Sequence, residues 1–457
     1  MQIASGTLTG AQSLRGGLFV ALGAAILLLP TLMNGFPFVF PDSVDYLTFN
    51  YHLIFRSPYY GLFIRLLHLK QFVWLPIAAQ TLIVSHLVWT TMRLLLPRCR
   101  PWQFMACVVI LTLGSSLPVV TGFILADVFT SVMILTLYLL AFHFDRLTSL
   151  ERIYFFLLAC LAISVHLSHL AIALALLLAI GAIFFAQGRQ VRSVRMTLAA
   201  VAGPIALAAV AILLQNVLIH RVAALSPAGT SFLLANMIEY GPARRYLEEA
   251  CPAAGYRICA EVGRLPRDSE SVLFGTYQRL GGFAAVRAEA TTIVLRTIQS
   301  RPGEVLEMAG KVAAQAITKR APGAELVPLQ APNSSFMERA LQATFGPGAV
   351  RAHLASAQSN DKVPRGLLKI IDNLVFPISL AFLIVATAYA AWRKADVVLA
   401  LGGTMLAGVV FNILICALTS GAHDRFQARV TWLLPFAALL VLARSMKDQS
   451  PAGAERN

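Results

Sequence analysis

The sequence has few charged residues, and this shortage limits the class of protein. Of its 457 residues only 13% are charged and 58% are hydrophobic, whereas charged residues make up about 25% of an ordinary soluble protein. This composition excludes a soluble globular domain and predicts a membrane protein. Lys and Arg exceed Asp and Glu, 37 against 22. Membrane orientation accounts for most of that excess, so no nucleic-acid partner is predicted.

Cysteine is also scarce, and none of the six cysteines forms a CxxC pair. A zinc ribbon and a thioredoxin-type redox site are therefore not supported. Cys251 and Cys259 lie close together in a polar segment, where an oxidising compartment would let them close a disulfide loop. The first apolar run, about 16–34, is long enough to remain in a bilayer and lacks the cleavage site of a secretory signal.

Long apolar runs fill most of the chain. A helix that crosses a bilayer needs about 20 apolar residues, because an unpaired backbone amide finds no water in hydrocarbon. The fifth and sixth runs are joined, and the HLSH step at 166–169 is predicted to be the turn between them. The sequence therefore predicts an all-α membrane protein with about ten transmembrane helices, at about 16–34, 72–92, 103–119, 128–144, 152–166, 168–187, 197–218, 367–391, 397–418 and 429–443.

Basic residues cluster in alternate connections between these spans. Because short cytoplasmic loops carry the excess of Lys and Arg, every cluster falls on one side if the N-terminus is inside. Both termini are then cytoplasmic, and the number of spans is even. An Arg- and Ala-rich chain with few Lys is typical of a GC-rich bacterium, which indicates the inner membrane. The clusters are Arg15; Arg93, Arg98 and Arg100; Arg146 and Arg152; Arg189, Arg192 and Arg195; Arg393 and Lys394; Arg444 and Lys447.

Residues 219–366 interrupt the apolar pattern and contain no span. They are richer in charge and fall on the outer side, which predicts a helical extracytoplasmic (periplasmic) domain. Its ATTIVLRTIQS and EVLEMAGKVAAQAITK stretches repeat apolar residues at helical spacing. Such helices either lie on the membrane surface or pack on each other. The domain separates a transmembrane module at 1–218, with a first outer loop at 35–71, from C-terminal transmembrane helices at 367–445 and a cytoplasmic tail at 446–457.

Acidic residues outside this domain are few, and half of them collect near the outer ends of spans. The others lie beside basic residues in cytoplasmic connections and are interpreted as solvated: Asp145, Glu151, Asp396, Asp448 and Glu455. Acids at membrane depth are costly, so their grouping predicts a functional site. Asp42 and Asp45 are three residues apart and share a face if a helix begins at Pro41. Alternatively, Asp42 only caps that helix. The outer acids are Asp42, Asp45, Asp127, Asp372 and Asp424.

Three short elements resemble the C-type integral-membrane glycosyltransferases (the GT-C superfamily), which include protein O-mannosyltransferases, aminoarabinose transferases of lipid A and oligosaccharyltransferases. In the first outer loop, acids precede Tyr46 and the Pro-aromatic step of RSPYYGLF, with Ser57 in place of a first Pro. In LPVVTGFILAD, Pro118 precedes an acid at the fourth span. In HDRFQARVTWLLPF, an Arg and an aromatic residue lead to Pro, with Phe426 where Tyr is usual. The resemblance covers the first seven spans and the last.

The resemblance implies a GT-C-like fold with a catalytic module at 1–218. It implies an enzyme that transfers a sugar from a polyprenyl-phosphate donor to a lipid, glycan or protein acceptor outside the membrane. An acid acts as base, and arginines neutralise the phosphate. No cofactor is assigned, and a divalent cation held by the acids stays open. The implied residues are Asp42, Asp45 and Asp127 for catalysis, Arg56, His423 and Arg425 for the donor phosphate, and Tyr46, Tyr59, Tyr60 and Asp424 for the substrate pocket.

Other interpretations remain at this point. Arg429 either joins the phosphate site or only anchors the last span. His166 and His169 share a helical face, but no third metal ligand is near, which favours hydrogen bonds between helices. A transporter would need inverted repeats and interrupted helices, which the sequence does not show. A polysaccharide polymerase or ligase would use arginines of a large outer loop, and Arg244 and Arg245 are available for it.

Overall fold

A computed structural model describes residues 10–96, 99–188 and 191–448. Within these ranges the chain is all-helical and has no β-strand; one parallel bridge joins Phe38 and Phe123. The all-α prediction is therefore confirmed. Arg98, Arg189, Glu455 and residues 449–457 of the predicted tail lie outside the described residues.

The chain forms a set of long apolar helices and a set of shorter, more polar helices. A 3₁₀ turn follows α7 at Phe144–Arg146, another spans Arg257–Arg264, and a π-helical turn at Val272–Thr276 joins α13 to α14. The helices are α1 Gly10–Asn34, α2 Ser43–Leu47, α3 Tyr59–His68, α4 Trp74–Leu95, α5 Pro101–Gly114, α6 Leu117–Gly122, α7 Val128–Phe142, α8 Ser149–Ser164, α9 Leu167–Ala186, α10 Val191–His220, α11 Gly229–Glu239, α12 Pro242–Ala250, α13 Ser269–Ser271, α14 Tyr277–Arg279, α15 Phe283–Ser300, α16 Pro302–Thr318, α17 Asn333–Phe345, α18 Pro347–Ala355, α19 Arg365–Arg393, α20 Asp396–Ser420, α21 Asp424–Thr431 and α22 Leu433–Asp448.

Seven helical segments among the described residues are long and apolar enough to cross a membrane. The chain is thus a helical membrane protein with several passes. The remaining predicted segments correspond to α5, α7 and α8, which have 14, 15 and 16 residues. The seven are Gly16–Asn34, Trp74–Leu95, Leu167–Ala186, Thr197–His220, Arg365–Arg393, Asp396–Ser420 and Asp424–Met446.

Two predicted boundaries can be compared directly with the structure. The predicted third span, 103–119, is wrong as one helix, because α5 ends at Gly114 and Pro118 lies in the first turn of α6. Proline suits that position, since a first-turn N–H has no partner within the helix. The predicted turn between the fifth and sixth spans is confirmed: α8 ends at Ser164, and His166 is extended just before α9.

The apolar helices surround α7, which lies at the centre of the main core. Every side chain of α7 except Phe142 is buried, and α7 contacts α4, α8, α9, α10 and α20. On the outside, large apolar side chains such as Phe185, Leu218 and Trp392 are exposed. A soluble protein rarely exposes such broad apolar surfaces, so the exterior suits a lipid bilayer.

The polar segment, residues 219–366, is helical as predicted, but it divides between two cores. Buried residues from Ala228 to Ala316 form a separate hydrophobic cluster that packs on α20. Leu326, Met337 and Leu341 instead join the main core. The two amphipathic stretches form α15 and α16. The predicted disulfide between Cys251 and Cys259 is present and closes the chain just after α12.

Candidate functional site

The first loop, residues 35–73 between α1 and α4, is held by backbone contacts on two sides. Phe38 N donates to Gly122 O (3.0 Å), and Ile124 N donates to Phe38 O (2.9 Å). The side chain of Gln358 accepts from Val39 N (3.1 Å) and donates to Val39 O (2.8 Å). Because Val39 lies three residues before Asp42, these bonds bring α2 beside the start of α7.

Asp42 binds two arginines from distant parts of the chain. Its Oδ1 is 2.8 Å from Arg56 Nη2, and its Oδ2 is 2.8 Å from Arg425 Nη2. Burial by itself would raise the pKa of Asp42, but the two guanidiniums hold that pKa far below its ordinary value. Asp42 occupies the N-cap position of α2, yet its side chain makes no capping bond. The alternative that Asp42 only caps a helix is therefore not what the structure shows.

Asp45 shares Arg56 with Asp42 but has a different environment. Its Oδ2 lies 3.0 Å from Arg56 Nε, and its side chain is one quarter exposed. Burial raises the pKa of Asp45; Arg56 opposes that shift, and the charge of Asp42 adds to it. Since a base near neutral pH works best when its pKa is raised, Asp45 suits proton transfer and Asp42 suits a permanently charged structural role.

Aromatic rings hold the two arginines in place. The guanidinium of Arg425 lies over Phe40 (4.3 Å to the ring centroid) and Phe426 (4.9 Å). The guanidinium of Arg56 lies over Tyr46, at 5.1 Å. Such cation–π contacts keep the cation oriented while they exclude water. Tyr46, predicted to line a substrate pocket, is therefore buried under an arginine.

Asp127 belongs to a second ion pair, deeper in the molecule. Its Oδ1 is 2.9 Å from Arg429 Nη1, and the side chain of Arg429 is fully buried. Arg429 also donates to Asn412 Oδ1 (2.9 and 3.1 Å) and to Ser168 Oγ (3.3 Å). This arginine is thus an internal partner of Asp127, and an interfacial anchoring role does not describe it. Arg425, one helical turn earlier in α21, links this pair to Asp42.

The remaining predicted residues have other partners. His423 Nε2 donates to Ser420 O (3.1 Å), and Asp424 Oδ1 accepts from Ala321 N (2.8 Å). Asp372 pairs with Arg320 at 3.0 Å. His423 and Asp424 therefore support the end of α20 and the start of α21, and Asp372 joins α19 to the segment after α16. Tyr60 donates to Gln80 Oε1 (2.7 Å) and is fully buried.

Glu325 is a site residue that the sequence interpretation missed. It lies in the polar segment within electrostatic range of Arg425, Asp424 and Asp127. Burial raises the pKa of Glu325, and Arg425 opposes that shift. The sequence around Glu325 does not distinguish it from the other acidic residues of the polar segment. Only the bond between Ala321 N and Asp424, and the burial of Leu326 in the main core, place it here.

His166 and His169 make hydrogen bonds within the protein. His169 Nδ1 donates to Ala162 O (2.6 Å), and its Nε2 is 2.7 Å from Thr130 Oγ1. Both ring nitrogens of His169 are therefore used, as the hydrogen-bond interpretation predicts. Among the described residues no group of three or more His, Cys, Asp or Glu is arranged to hold a metal ion.

An apolar cavity of about 280 Å³ lies between the first loop and the C-terminal end of α10. Tyr59 lines it and donates its hydroxyl to Ala211 O (2.9 Å). The Gln215 amide also lines it; this amide is buried, and neither its nitrogen nor its oxygen has a hydrogen-bond partner among the described residues. None of the three predicted catalytic acids lines the cavity. The lining residues are Phe49, Tyr51, Pro58, Tyr59, Leu62, Gln215 and Ile219.

Comparison with protein-family models, with curated proteins and with solved structures finds no match to this chain. The candidate site is therefore defined by its own geometry. It consists of two ion-pair groups linked by α21, with Asp42, Asp45, Arg56 and Arg425 in one and Asp127 and Arg429 in the other.

Proposed function

We propose that this chain is a membrane glycosyltransferase that moves a sugar from a polyprenyl-phosphate donor to an acceptor of the cell envelope. The acceptor is a lipid, glycan or protein outside the membrane. One observation carries the proposal: Asp45 is a partly exposed carboxylate paired with Arg56, and Asp42 and aromatic rings hold Arg56 and a second arginine, Arg425, in fixed positions. A base next to oriented cations is what transfer from a phosphate-linked sugar requires.

The proposed reaction forms one bond and breaks one. The acceptor oxygen bonds to the anomeric carbon of the sugar while the bond from that carbon to the phosphate oxygen breaks. Asp45 takes the proton of the acceptor hydroxyl, and the electron pair leaves on the phosphate. Arg56 and Arg425 neutralise that developing charge, since guanidinium groups form strong paired hydrogen bonds with phosphate oxygens. Asp42 and Asp127 hold their arginines in place.

The fold supports this proposal through the positions of its helices. The predicted spans other than the third, which α5 and α6 divide, overlap helices of the structure, and α5, α7 and α8 are the short ones. Because α7 is surrounded by protein, it does not need the length of a lipid-facing helix. We propose a GT-C-like arrangement of ten spans in a bacterial inner membrane, with cytoplasmic termini and a periplasmic polar segment. The disulfide between Cys251 and Cys259 favours an oxidising compartment for that segment.

The apolar cavity favours a lipid-linked substrate. Its Tyr59 lies three residues from Arg56, so the same short stretch of the first loop faces the cavity and the arginine cluster. A lipid chain in the cavity would therefore leave its phosphate near Arg56. The exposed Leu214 and Leu218 of α10 give this cavity an apolar, lipid-facing neighbourhood.

Two alternatives have less support. A polymerase or ligase that used Arg244 and Arg245 would need these side chains free, but Arg244 donates to the carbonyls of Leu265 and Pro266, and Arg245 pairs with Glu304. A transporter would have helices that break at mid-depth. Here α1, α10 and α19 run continuously through Pro30, Pro204 and Pro377, while the predicted third span divides into α5 and α6 and the last into α21 and α22.

Replacement of the proposed base is the direct test. We expect Asp45→Asn to lower sugar transfer by about 10² or more, because removal of a general base costs about this much in rate. The acid limb of the wild-type pH profile should lie above 3.8, the ordinary pKa of Asp, since the pKa of Asp45 is raised. The measurement is transfer of radiolabel from polyprenyl-phosphate hexose and pentose donors to envelope extract by the purified chain in lipid nanodiscs.

The matched control is Asp145→Asn, which removes an exposed acid beyond the opposite end of α7. It should transfer sugar at the wild-type rate. Full activity in Asp45→Asn would eliminate the proposed base, and with it this assignment.

A further inference from the structure

His166, at the turn between α8 and α9, has one ring nitrogen whose role the structure determines. Its Nδ1 lies 3.3 Å from Ser168 N and 2.8 Å from Ser168 Oγ. A backbone N–H can only donate, so Nδ1 must accept and cannot carry a proton. The ring therefore carries its proton on Nε2. This bond also caps α9, which would be the ordinary structural reason for a polar residue here.

Arg429 reinforces the same assignment. Its guanidinium, which has only donors, gives a hydrogen bond to Ser168 Oγ at 3.3 Å. The hydroxyl hydrogen of Ser168 is then directed to His166 Nδ1. The buried pair of Asp127 and Arg429 thus sets the direction of a hydrogen-bond chain that ends at His166 Nε2–H.

His169 provides an internal comparison. Its ring stacks on that of His166, with centroids 5.0 Å apart and planes inclined by 28°. Its Nδ1 donates to a carbonyl and its Nε2 accepts from Thr130, so both nitrogens of His169 have partners. His166 Nε2, in contrast, has no hydrogen-bond partner among the described residues, and the side chain is partly exposed.

The surroundings of His166 identify the kind of atom it would bind. Its ring meets Phe426 edge to face (6.5 Å), and Phe426 also contacts Arg425 and Arg429. The ring is neutral because its Nδ1 accepts a hydrogen bond, and the charged groups within electrostatic range of it are Arg429, Arg425, Arg56 and Asp42. Guanidiniums and an Nε2–H group all donate. Their common complement is an oxygen that only accepts, such as a phosphate oxygen.

We infer that His166 Nε2–H is a ligand-binding donor of this site and gives its hydrogen bond to a phosphate oxygen of a lipid-linked substrate. This inference rests on the proposed transferase only for the identity of the lipid. A neutral donor adds no charge beside the arginines, so it orients the phosphate without further repulsion between cations. Ser168 and Arg429 act as positioning residues, since each reaches the phosphate only through His166.

Two substitutions separate ligand binding from helix capping. Asn is a good N-cap residue and keeps the role of Nδ1, so His166→Asn should fold normally while losing the donor. Gln extends one bond further and presents its amide N–H near the position of Nε2. We expect His166→Asn to weaken binding of polyprenyl phosphate, without sugar, about tenfold, because a lost hydrogen bond to a charged group has about this effect. His166→Gln should recover most of it.

Binding is measured by equilibrium titration of the chain in nanodiscs with polyprenyl phosphate and, separately, with phosphatidic acid. His143→Gln is the matched control, since His143 follows the far end of α7 and bonds Tyr138. Equal affinity of His166→Asn and wild type would show that the residue only caps α9, and would overturn the inference. If wild type binds phosphatidic acid with this His166 dependence but not polyprenyl phosphate, the phosphate site stands and the proposed transferase fails. Binding of neither lipid overturns the inference.

A spectroscopic measurement tests the tautomer without any ligand. In protein labelled with ¹⁵N at histidine, the signals lost in His166→Asn identify this ring. We expect a neutral ring protonated at Nε2, and the same tautomer in Ser168→Ala, which keeps the backbone N–H that donates to Nδ1. A proton on Nδ1 in the wild type would contradict the inference.

Discussion

At the scale of single residues, Asp42 and Asp45 show how neighbours decide the role of a carboxylate. They lie three positions apart in one short helix and share Arg56. Asp42 has a second guanidinium, that of Arg425, and stays ionised; Asp45 lacks it, and burial raises its pKa. The same chemical group is thus a structural counter-ion in one position and a candidate base in the other.

This difference predicts opposite effects on stability. The folded pKa of Asp42 is lowered, so its contribution is complete above its ordinary pKa and is lost only as the pH falls through the folded value. At neutral pH, Asp42→Asn leaves Arg56 and Arg425 without their shared anion and should cost about 3 kcal/mol. The folded pKa of Asp45 is raised, so its ionised form costs stability at neutral pH. Asp45→Asn should therefore leave the melting temperature unchanged or raise it.

Thermal unfolding in detergent, followed by tryptophan fluorescence, measures both effects. Combining Asp42→Asn with Arg425→Met should recover part of the loss, since the second change removes an unpaired buried cation. A fall in melting temperature as large for Asp45→Asn as for Asp42→Asn would contradict the assignment of separate roles.

At the scale of elements, the first loop depends on the polar segment for its position. Gln358 bonds both backbone groups of Val39, and its own backbone N–H donates to Asn34 Oδ1 (2.7 Å). These contacts join the end of α1 to the segment after α18. The first loop and the polar segment are therefore one structural unit around the candidate site.

Removal of the Gln358 side chain should loosen the first loop. Gln358→Ala leaves the buried N–H and C=O of Val39 without partners, which costs about 1–3 kcal/mol. We expect amide exchange over residues 36–48 to become about tenfold faster or more, while α7 keeps its protection. Hydrogen–deuterium exchange with mass spectrometry gives the measurement. The exposed Gln342→Ala should change nothing; unaltered exchange of this loop in Gln358→Ala would show that other contacts hold it.

At the scale of the whole molecule, α21 unites regions that are far apart in the chain. Its Arg425 binds Asp42 of the first loop, and its Arg429 binds Asp127 at the start of α7. The helix that follows continues to Asp448, the last described residue. The site therefore forms only when both ends of the chain pack together.

The number of crossings can be tested by topology. If α5, α7 and α8 cross together with the seven longer helices, the total is even and both termini share the cytoplasmic side. If only the seven cross, the termini lie on opposite sides. We expect a fluorescent-protein fusion after residue 447 to fluoresce in the cytoplasm and an alkaline phosphatase fusion near Pro266 to be active outside. Phosphatase activity after residue 447 would refute the even count.

Much of this architecture follows from local sequence. The apolar runs predict the helices because a backbone in hydrocarbon must satisfy its own hydrogen bonds. Cys251 and Cys259 can be paired because they are the two cysteines of the polar segment. The split of 103–119 into α5 and α6 was missed, since hydropathy does not register a break that leaves both halves apolar.

The sequence by itself determined that the chain is helical and membrane-bound, where its helices run and which acids lie near their ends. These properties depend on the hydrophobic periodicity of short stretches of sequence, which can be recognised without the tertiary structure. Only the tertiary structure decided that Arg425 binds Asp42, that Arg429 is buried on Asp127 and that His166 keeps its proton on Nε2. Each depends on side chains brought together by packing across almost the whole chain, which no local pattern contains.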